Sequence, residues 1–398
     1  MQVSRRISNL TPSPTVALNA KAQELKAKGA DILNFGVGEP DFQTPQPIVD
    51  VAIRSLTKGR TKYGPAGGGS ELRRAIVDKL ARENRLQFSP DDVVVGIGAK
   101  EILFHIFLAM LNEGDEVILP APYWVSYSEQ IAAAGATSKL IPMPEGQDIK
   151  LTPAMIEAQA TSNTRCFVLT SPNNPAGYAL NHEQLKDLGQ YLASKDWWIV
   201  SDEIYEYLSF DHPHVSMLEL VPELRDRFIL VNGLSKGFAM TGWRVGYMAG
   251  PTPIAKLVRA LQSHSSTCLP GFIEDAAAFA LKSGRALVEK DISVFRERRD
   301  FAVSCVEKIS GMKLIKPQGA FYLFLDLRPF LAKSARFAPT NSLAFSAWLL
   351  EEFHVAAVPG EAFGAPGFLR LSYAIDQQSI QKGIERLAKA LTTIQAYS

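Results

Sequence analysis

Short apolar stretches alternate with helical patterns through the first two thirds of the chain. Val93 to Ile97, Thr164 to Leu169 and Phe228 to Val231 are apolar runs of strand length without polar alternation. Such runs are typical of a sheet that is covered on both faces. Helical spacing of apolar residues separates the runs, as in Ser70 to Asn84, where Ser70 is placed to cap the first turn. The alternation predicts a doubly wound α/β domain with a mainly parallel sheet.

The pattern changes near Leu287. A long charged helix is predicted from Val288 to Ile309, and its Arg296 to Arg299 segment has the composition of a solvated face. Two strand-like pieces follow, Gly319 to Asp326 and Phe368 to Ser372, with helical patterns around them. We therefore expect a large domain over residues 46–287 and a smaller α+β domain formed by 1–45 and 288–398.

Composition excludes several classes of protein. Of the 398 residues, 46% are hydrophobic and 21% are charged, as in globular proteins, so a disordered or fibrous chain is excluded. The 42 basic and 41 acidic residues leave a net charge of +1, without the basic excess that general nucleic-acid binding needs. No apolar run is long enough to cross a bilayer and the N-terminus lacks a signal-peptide core, so we expect a cytoplasmic protein without membrane or nucleic-acid partners.

The three cysteines give no support for a metal site or a disulfide framework. Cys166, Cys268 and Cys305 are far apart, odd in number and contain no CxxC pair. Their neighbours are mostly apolar or small, which predicts a buried free thiol at each position.

The stretch from Gly233 to Arg244 carries the strongest chemical signal. It follows a predicted strand and holds Lys236 among Gly, Ser, Phe and Met residues. Such surroundings lower the pKa of an amine by desolvation and favour a nucleophilic or basic lysine. Taken alone, Lys236 is more simply explained as a solvated lysine, the usual state of this residue type.

Two more segments follow predicted strands. Ser171 to Gly177 places Asn173 and Asn174 between prolines, which stiffen the loop. Asp202 stands at the end of the next strand, with Tyr205 three residues further on. A buried carboxylate there needs a cation or donors, for which a protonated pyridine nitrogen is one candidate, while a helix cap is the other interpretation of Asp202.

Two basic residues lie in places that suggest anion binding. Lys100 belongs to Gly98-Ala99-Lys100, where a strand meets a helix whose free amide groups suit a phosphate. The segment does not match the GxGxxG dinucleotide fingerprint, because Glu101 occupies the position of the third glycine. Arg370 lies inside an apolar strand, where it pairs either with a protein carboxylate or with a substrate carboxylate.

Together these segments resemble the class I pyridoxal-phosphate aminotransferases of fold type I. The resemblance covers nearly the whole chain and keeps the family's motifs in order, including Tyr63 in Thr61-Lys62-Tyr63-Gly64-Pro65. Met240 to Arg244 and Tyr123 to Tyr127 extend it to the bacterial aspartate aminotransferase branch called Ib. The resemblance implies a large domain with a mainly parallel seven-stranded sheet, a smaller domain, pyridoxal 5′-phosphate as cofactor and a homodimer with shared active sites.

The resemblance also implies a role for each site residue. Lys236 carries the cofactor and then moves the substrate proton, Asp202 keeps the pyridine nitrogen protonated, and Tyr205 with Asn174 contacts the ring oxygen. Trp124 stacks on the ring. The phosphate is surrounded by Gly98, Ala99, Lys100, Ser235 and Arg244, and by Tyr63 of the partner subunit's chain. Gly38 and Arg370, with Asn174 and Trp124, hold the substrate, whose α-carboxylate pairs with Arg370.

In the Ib branch the lysine at the position of Lys100 recognises the distal carboxylate of acidic substrates. This implies transamination between L-aspartate or L-glutamate and 2-oxoglutarate or oxaloacetate by ping-pong chemistry. Three alternatives stay open: an aromatic or broad-specificity aminotransferase, a β-lyase of the same fold, and a non-catalytic pyridoxal-phosphate-binding regulator. The intact set of Lys236, Asp202, Arg244 and Arg370 speaks against the last.

Overall fold

The secondary structure follows the alternation seen in the sequence, and the computed structural model describes residues 4, 7–8, 10–143, 149–331 and 339–396. The strands are β1 (Leu33–Asn34), β2 (Val93–Ile97), β3 (Glu116–Pro120), β4 (Thr137–Ile141), β5 (Thr164–Thr170), β6 (Trp198–Asp202), β7 (Phe228–Gly233), β8 (Val245–Ala249), β9 (Lys313–Ile315), β10 (Tyr322–Asp326), β11 (Val355–Ala356), β12 (Val358–Pro359) and β13 (Phe368–Ser372). The helices are α1 (Pro14–Ala27), α2 (Gln46–Thr57), α3 (Ser70–Asn84), α4 (Ala99–Met110), α5 (Ser126–Ala133), α6 (Pro153–Glu157), α7 (His182–Ala193), α8 (Met217–Leu220), α9 (Thr252–Ser263), α10 (Gly271–Ser283), α11 (Glu289–Val306), α12 (Arg328–Leu331), α13 (Ser342–Phe353) and α14 (Gln377–Ala396).

The largest sheet has seven strands in the order β2-β8-β7-β6-β5-β3-β4. Its neighbours pair in parallel from β7 to β4, while β8 runs antiparallel to both β2 and β7. The chain passes from β7 to β8 through residues 234–244 without a crossover helix, which an antiparallel pair permits and a parallel pair does not. The predicted fold class, a mainly parallel α/β sheet with a smaller α+β part, is confirmed.

Both faces of this sheet are buried, as the unbroken apolar strands predict. Successive residues of one strand belong to two separate hydrophobic clusters: Val93 and Val95 pack into one, and Val94 packs into the other. The same alternation separates Leu230 from Val231 in the central strand. Because adjacent side chains point to opposite faces, the sheet is enclosed by helices on each side.

The second sheet lies beyond α11 in the chain. It has four strands in the order β12-β13-β10-β9, all antiparallel, and α11 packs against α14. A separate pair, β1 with β11, joins the N-terminal part of the chain to this C-terminal part. The predicted domain boundaries, 46–287 for the large domain and 1–45 with 288–398 for the smaller one, remain a prediction.

The charged run of α11 is only in part the solvated face expected from its composition, because Arg296 and Glu297 are exposed but the next two residues are not. Arg298 and Arg299 are buried, at 9% and 5% exposure. Arg298 donates to Asp41 and Arg299 to Asp211, so each guanidinium pairs with a carboxylate from a distant part of the chain. The acidic partners are far away in sequence, which is why the local pattern alone concealed them.

Two local expectations are also wrong. Helix α3 is capped by Gly69, and Ser70 is already its first helical residue without a capping hydrogen bond from its side chain. Cys268 is half-buried rather than buried, and its Sγ accepts a hydrogen bond from the Gly64 amide. Cys166 and Cys305 are buried free thiols, as expected.

The described part of the chain contains neither a candidate membrane span nor a candidate metal cluster. No helix in it is both long and apolar enough to span a bilayer. Across those same residues, His, Cys, Asp and Glu side chains form no cluster that could hold a metal ion.

Candidate active site

The chemically promising residues meet in one cavity of about 490 Å³. It opens at the carboxyl ends of β5 and β6, where open α/β sheets bind their ligands. Its lining includes these residues named from the sequence: Gly38, Ala99, Lys100, Trp124, Asn174, Asp202, Tyr205, Ser235, Lys236, Arg244 and Arg370. Residues that are distant in the chain thus contact one space, as shown by the hydrogen bond from Arg370 to the Gly36 carbonyl, 334 positions away.

Lys236 occupies the connection between β7 and β8. Its amine donates to the Gly38 carbonyl oxygen, a neutral acceptor. The side chain keeps contact with the cavity, but burial of the amine lowers its pKa to about 8, against the opposing influence of Glu39. A lysine in this state reaches its neutral, nucleophilic form near physiological pH, in line with the surroundings seen in the sequence.

Asp202 ends β6 with its carboxylate buried at 4% exposure. Oδ2 accepts a hydrogen bond of 2.6 Å from the Tyr127 hydroxyl, and Oδ1 accepts one of 3.2 Å from the Ile204 amide. Among the described residues no cation pairs with Asp202, and burial raises its pKa to about 6 despite the Tyr127 hydrogen bond. The Ile204 contact is a local turn, so a helix cap does not account for the second oxygen.

Two tyrosines join the sheets around the cavity. The hydroxyl of Tyr205 lies 2.8 Å from that of Tyr322 and 3.5 Å from the Asn174 side-chain amide nitrogen. Burial and the neighbouring Tyr322 raise the pKa of Tyr205, so it is a protonated donor at neutral pH. Tyr322 begins β10 of the second sheet, so this hydroxyl pair bridges the two sheets.

Arg370 is a buried cation with neutral neighbours. Its guanidinium donates to Asn174 Oδ1 at 3.0 Å and to the Gly36 carbonyl at 2.8 Å, and lies over the Tyr322 ring at 4.5 Å. The Nε donor has no partner, and none of the carboxylates described by the structure forms an ion pair with Arg370. Burial lowers its pKa, and a buried charge in this state requires an anion from outside the chain. Of the two interpretations of Arg370, the pairing with a protein carboxylate is therefore excluded within the described residues.

An anion cradle lies where β2 meets α4. Gly98, with φ of 79°, caps α4, and a Cβ at this position would stand 2.4 Å from the Arg244 guanidinium. A Cβ at Gly246 would be 2.1 Å from the Ala99 nitrogen, so only glycine lets the two backbones approach so closely. Ser235 and Arg244 line the cavity beside the free amides of α4. Amides, a hydroxyl and a guanidinium together form a typical phosphate-binding set.

Lys100 lies next to this cradle at the cavity mouth. Its side chain is exposed, and its amine is 5.0 Å from the centre of the Trp124 ring. The geometry leaves the ammonium free to meet a second anionic group of a bound molecule. Trp124 in turn packs edge-on against Tyr127 at 5.3 Å.

Two residues named from the sequence do not line the cavity. Gly98 belongs to the cradle only through its close approach to the Arg244 guanidinium. Tyr63 is 89% exposed and lies outside the cavity of its own chain.

Sequence reasoning missed Tyr127 and Tyr322, both of which line the cavity. Tyr127 lies three residues after Trp124, and this helical spacing was an available signal. Tyr322 is 117 residues from its partner Tyr205, and nothing in a single sequence connects them.

The residues present fit pyridoxal 5′-phosphate. Lys236 offers an amine for the aldehyde, and the cradle of Ala99, Ser235 and Arg244 suits the phosphate. Asp202 is a buried carboxylate that lacks a cation, which a protonated ring nitrogen supplies. The aldehyde, the phosphate and the ring nitrogen of the cofactor would thus each meet a protein group with the chemistry to bind it.

Comparison with known families and relatives agrees with this chemistry. Residues 30–387 match the family model described as aminotransferase class I and II. A probable aspartate/prephenate aminotransferase of Aquifex aeolicus is 43% identical over 395 residues, covering 98% of this chain and 99% of that protein. The aspartate aminotransferase of Geobacillus stearothermophilus is 43% identical over 390 residues, covering 97% and 98%.

Solved structures agree in fold over the same length. The aspartate aminotransferase of Thermus thermophilus with maleate superposes with a TM-score of 0.92 at 38% identity, covering 98% of this chain and all of that one. The aspartate aminotransferase of Rhizobium meliloti gives a TM-score of 0.94 at 36% identity, covering 98% and 99%.

Proposed function

The chain belongs to the aminotransferase class I and II family and is an aminotransferase that depends on pyridoxal 5′-phosphate, and from this premise we propose its substrates and the role of each site residue. The amino donor is L-aspartate or L-glutamate, and the acceptor is 2-oxoglutarate or oxaloacetate. Relatives that carry the name aspartate aminotransferase support this choice. The aromatic, β-lyase and non-catalytic alternatives become outcomes of the test below.

One observation carries the choice of acidic substrates. Arg370 and Lys100 line the same cavity as Lys236, and neither forms an ion pair with a carboxylate within the described residues. A dicarboxylic amino acid presents two anionic groups, one for each cation. An apolar amino acid would leave Lys100 without a counter-charge and gain little from it.

The binding residues orient the amino acid before any bond changes. Arg370 pairs with the α-carboxylate in a forked contact, and its hydrogen bonds to Asn174 and Gly36 fix the plane of the guanidinium. Lys100 meets the distal carboxylate at the cavity mouth. Two fixed points define the direction of the Cα–H bond relative to Lys236, which is the positional contribution to catalysis.

Lys236 moves the proton. When bound, the cofactor supplies an electron sink for the electron pair left at Cα. Burial lowers the pKa of Lys236 to about 8, so at neutral pH its amine readily becomes the base that removes the Cα proton. Once protonated, the same amine would return that proton to the cofactor carbon that carried the aldehyde, so that the amino group would stay with the cofactor and hydrolysis would release the substrate as the oxo acid.

The remaining residues hold the cofactor. Asp202 pairs with the protonated ring nitrogen and so maintains the electron sink, and Tyr205 with Asn174 hydrogen-bonds the ring oxygen. Trp124 covers the ring and excludes water. The phosphate lies against the amides of Ala99 and Lys100, with Gly98, Ser235 and Arg244 completing the cradle.

We also propose a cytoplasmic homodimer in which each site is completed by the second copy. Tyr63 is 89% exposed and does not line its own cavity, which supports a contact with the cofactor phosphate of the other copy. Tyr63→Phe should weaken cofactor binding without altering the mass of the particle measured by light scattering. A monomer at micromolar concentration would contradict this part of the proposal.

The substrate proposal is tested by single-turnover spectroscopy of the cofactor-loaded protein. L-aspartate, L-phenylalanine and L-alanine are mixed with it in turn, and the cofactor absorbance is followed. Aspartate should convert the cofactor to its amino form fastest. Lys100→Ala should slow aspartate about 10- to 100-fold, the loss expected for one charged hydrogen bond, and leave alanine within about threefold.

Other outcomes identify the alternatives. Equal rates for phenylalanine and aspartate would contradict the choice of acidic substrates and leave transamination intact. Release of pyruvate and ammonia from β-chloro-L-alanine, whose chloride can leave from Cβ, without any added 2-oxo acid as acceptor would indicate a β-lyase. Cofactor binding without conversion by any amino acid would indicate a binding module. Lys139→Ala is the control, because Lys139 pairs with Glu116 and does not line the cavity.

A further inference from the structure

A chain of hydroxyl groups ends on the carboxylate of Asp202. Tyr127, in the first turn of α5, is 1% exposed and lines the cavity. Its phenolic oxygen lies 2.6 Å from Asp202 Oδ2 and 2.6 Å from Thr170 Oγ1. Thr170 and Asp202 are register partners at the ends of β5 and β6, so one phenol joins two adjacent strand ends.

The chemistry of the groups fixes the direction of both hydrogen bonds. An ionised carboxylate can only accept, so the Tyr127 hydroxyl donates to Asp202. The single phenolic proton is then used, and the Thr170 hydroxyl donates to the Tyr127 oxygen. Such a polarised chain strengthens the terminal bond to the carboxylate.

We propose that Tyr127 is a positioning residue whose hydroxyl, held by Thr170, keeps Asp202 ionised and oriented toward the cationic ring nitrogen of the cofactor. The inference rests on the proposed role of Asp202 and adds to it the source of the carboxylate's stability. No other side chain described by the structure donates a hydrogen bond to Asp202.

Other charges around Asp202 do not replace this hydrogen bond. The adjacent Glu203 raises the pKa of Asp202, and Lys236 lowers it from across the cavity. Glu203 is itself hydrogen-bonded to His214 at 2.8 Å, and neither residue lines the cavity. The charged groups that line the cavity are Glu39, Lys100, Asp202, Lys236, Arg244 and Arg370.

The Tyr127 hydroxyl lowers the pKa of Asp202, whereas burial raises it. Loss of the hydroxyl should therefore let burial raise this pKa further. Burial already raises the pKa of this carboxyl to about 6 with the hydrogen bond in place. Without that bond Asp202 takes up its proton closer to neutral pH. A protonated Asp202 no longer pairs with a cationic nitrogen, so cofactor affinity falls at a higher pH than in the unaltered protein.

The test measures binding to the apoprotein rather than turnover. Pyridoxine 5′-phosphate is the probe, because it lacks the aldehyde and forms no bond with Lys236. Its dissociation constant is measured by calorimetry from pH 5 to 8.5 for the unaltered protein and for Tyr127→Phe. We expect the midpoint of the affinity loss to move up by about one pH unit, with the affinities at pH 8.5 within about fivefold.

Matched variants separate the hydroxyl chain from a packing effect. Tyr373→Phe removes another fully buried hydroxyl, which donates to the Ala320 carbonyl, and should leave the midpoint unchanged. Thr170→Val removes the donor to Tyr127 and should move the midpoint up by a smaller amount. Thr170→Ser keeps that donor and should not move it.

The outcomes decide the inference in each case. An unshifted midpoint in folded Tyr127→Phe overturns it, with folding checked by circular dichroism. If Tyr127→Phe does not fold, the two Thr170 variants decide. Equal midpoints of the affinity loss in Thr170→Val and Thr170→Ser overturn the inference, and a midpoint shifted only in Thr170→Val supports it. Asp202→Asn distinguishes the premise: an unaltered affinity and pH profile there would refute the role of Asp202 itself.

Discussion

Two lysines enclosed by the fold, Lys79 and Lys236, differ in the partners of their amines. Lys79 is 1% exposed, and its amine forms an ion pair with Glu206 and donates to Asn84 Oδ1 at 2.8 Å. Asn84 in turn donates to the other Glu206 oxygen at 2.9 Å, so each of the three side chains is hydrogen-bonded to the other two. Although burial opposes it, the charge of Lys79 lowers the pKa of Glu206, which stays ionised.

Lys236 has no comparable partner among the residues that the structure describes. Its amine donates to the neutral Gly38 carbonyl, and burial lowers its pKa to about 8. The difference distinguishes a structural lysine from a functional one. A buried charge that is paired within the chain stabilises one conformation, whereas a buried charge with only neutral partners is available to a ligand. Asp202 and Arg370 resemble Lys236 in this respect, and the predictions below test the distinction from the largest expected effect to the smallest.

Lys236→Ala should abolish transamination, with a loss of about 10⁴-fold or more in turnover, because the proton carrier is removed. Thermal unfolding should be unchanged or shifted upward, since a partly desolvated amine is lost. Turnover with aspartate and a melting curve measure the two effects. A stability loss comparable to that of the Lys79 variant would contradict the distinction.

Lys79→Met should lower the free energy of unfolding by about 3–5 kcal/mol, because Glu206 would remain buried without its cation. The absorbance of bound cofactor should not change. Urea unfolding measures the loss, and the double variant with Glu206→Met should recover most of it, because both charges are then absent. Failure of the double variant to recover would indicate a packing defect instead.

Arg370→Lys should lower kcat/KM for aspartate by roughly 100-fold, equivalent to about 2–3 kcal/mol, because a lysine cannot reproduce the forked contact. The effect should appear mainly in KM for both amino and oxo acid. Arg225→Lys, at a partly exposed ion pair with Asp92, is the control and should leave KM unchanged. Unaltered KM in Arg370→Lys would remove Arg370 from the carboxylate site.

The pair of His214 and Glu203 allows a smaller, pH-dependent test of a buried charge that is paired within the chain. Although burial opposes it, the carboxylate of Glu203 raises the pKa of His214. The stabilisation is therefore present below the unfolded pKa of about 6.5 and is lost as pH rises through the folded value. The stability difference between the unaltered protein and His214→Leu, measured by urea unfolding at pH 6 and 9, should be larger at pH 6. An equal or larger difference at pH 9 would contradict the assignment.

The fold could be predicted from the sequence because its signals are local. Apolar runs of strand length, helical spacing and turn residues lie within a few positions of each other, and they correctly indicate the covered sheet. The antiparallel direction of β8 was not predicted, since direction is not encoded within a strand. The burial of Arg298 and Arg299 was missed because their partners, Asp41 and Asp211, are distant in sequence.

The candidate site was foreseen where a motif is contiguous. The stretch around Lys236, the prolines around Asn174 and the strand end at Asp202 were visible one segment at a time. Tyr322 was not, because its role depends on a contact between two sheets. The roles of Lys236 and Asp202 remain predictions that the variants above test, and those of Asn174 and Tyr322 also remain predictions.

The central claim is that the fold leaves Lys236 chemically available, whereas it pairs the buried Lys79 with Glu206. It is tested most directly by adding pyridoxal 5′-phosphate, reducing with borohydride and mapping the labelled lysine by mass spectrometry of peptides. We predict that the cofactor is fixed to Lys236 at equal molar ratio, with none on Lys79 or Lys100. A label shared among several lysines, or carried by one other than Lys236, would contradict the account.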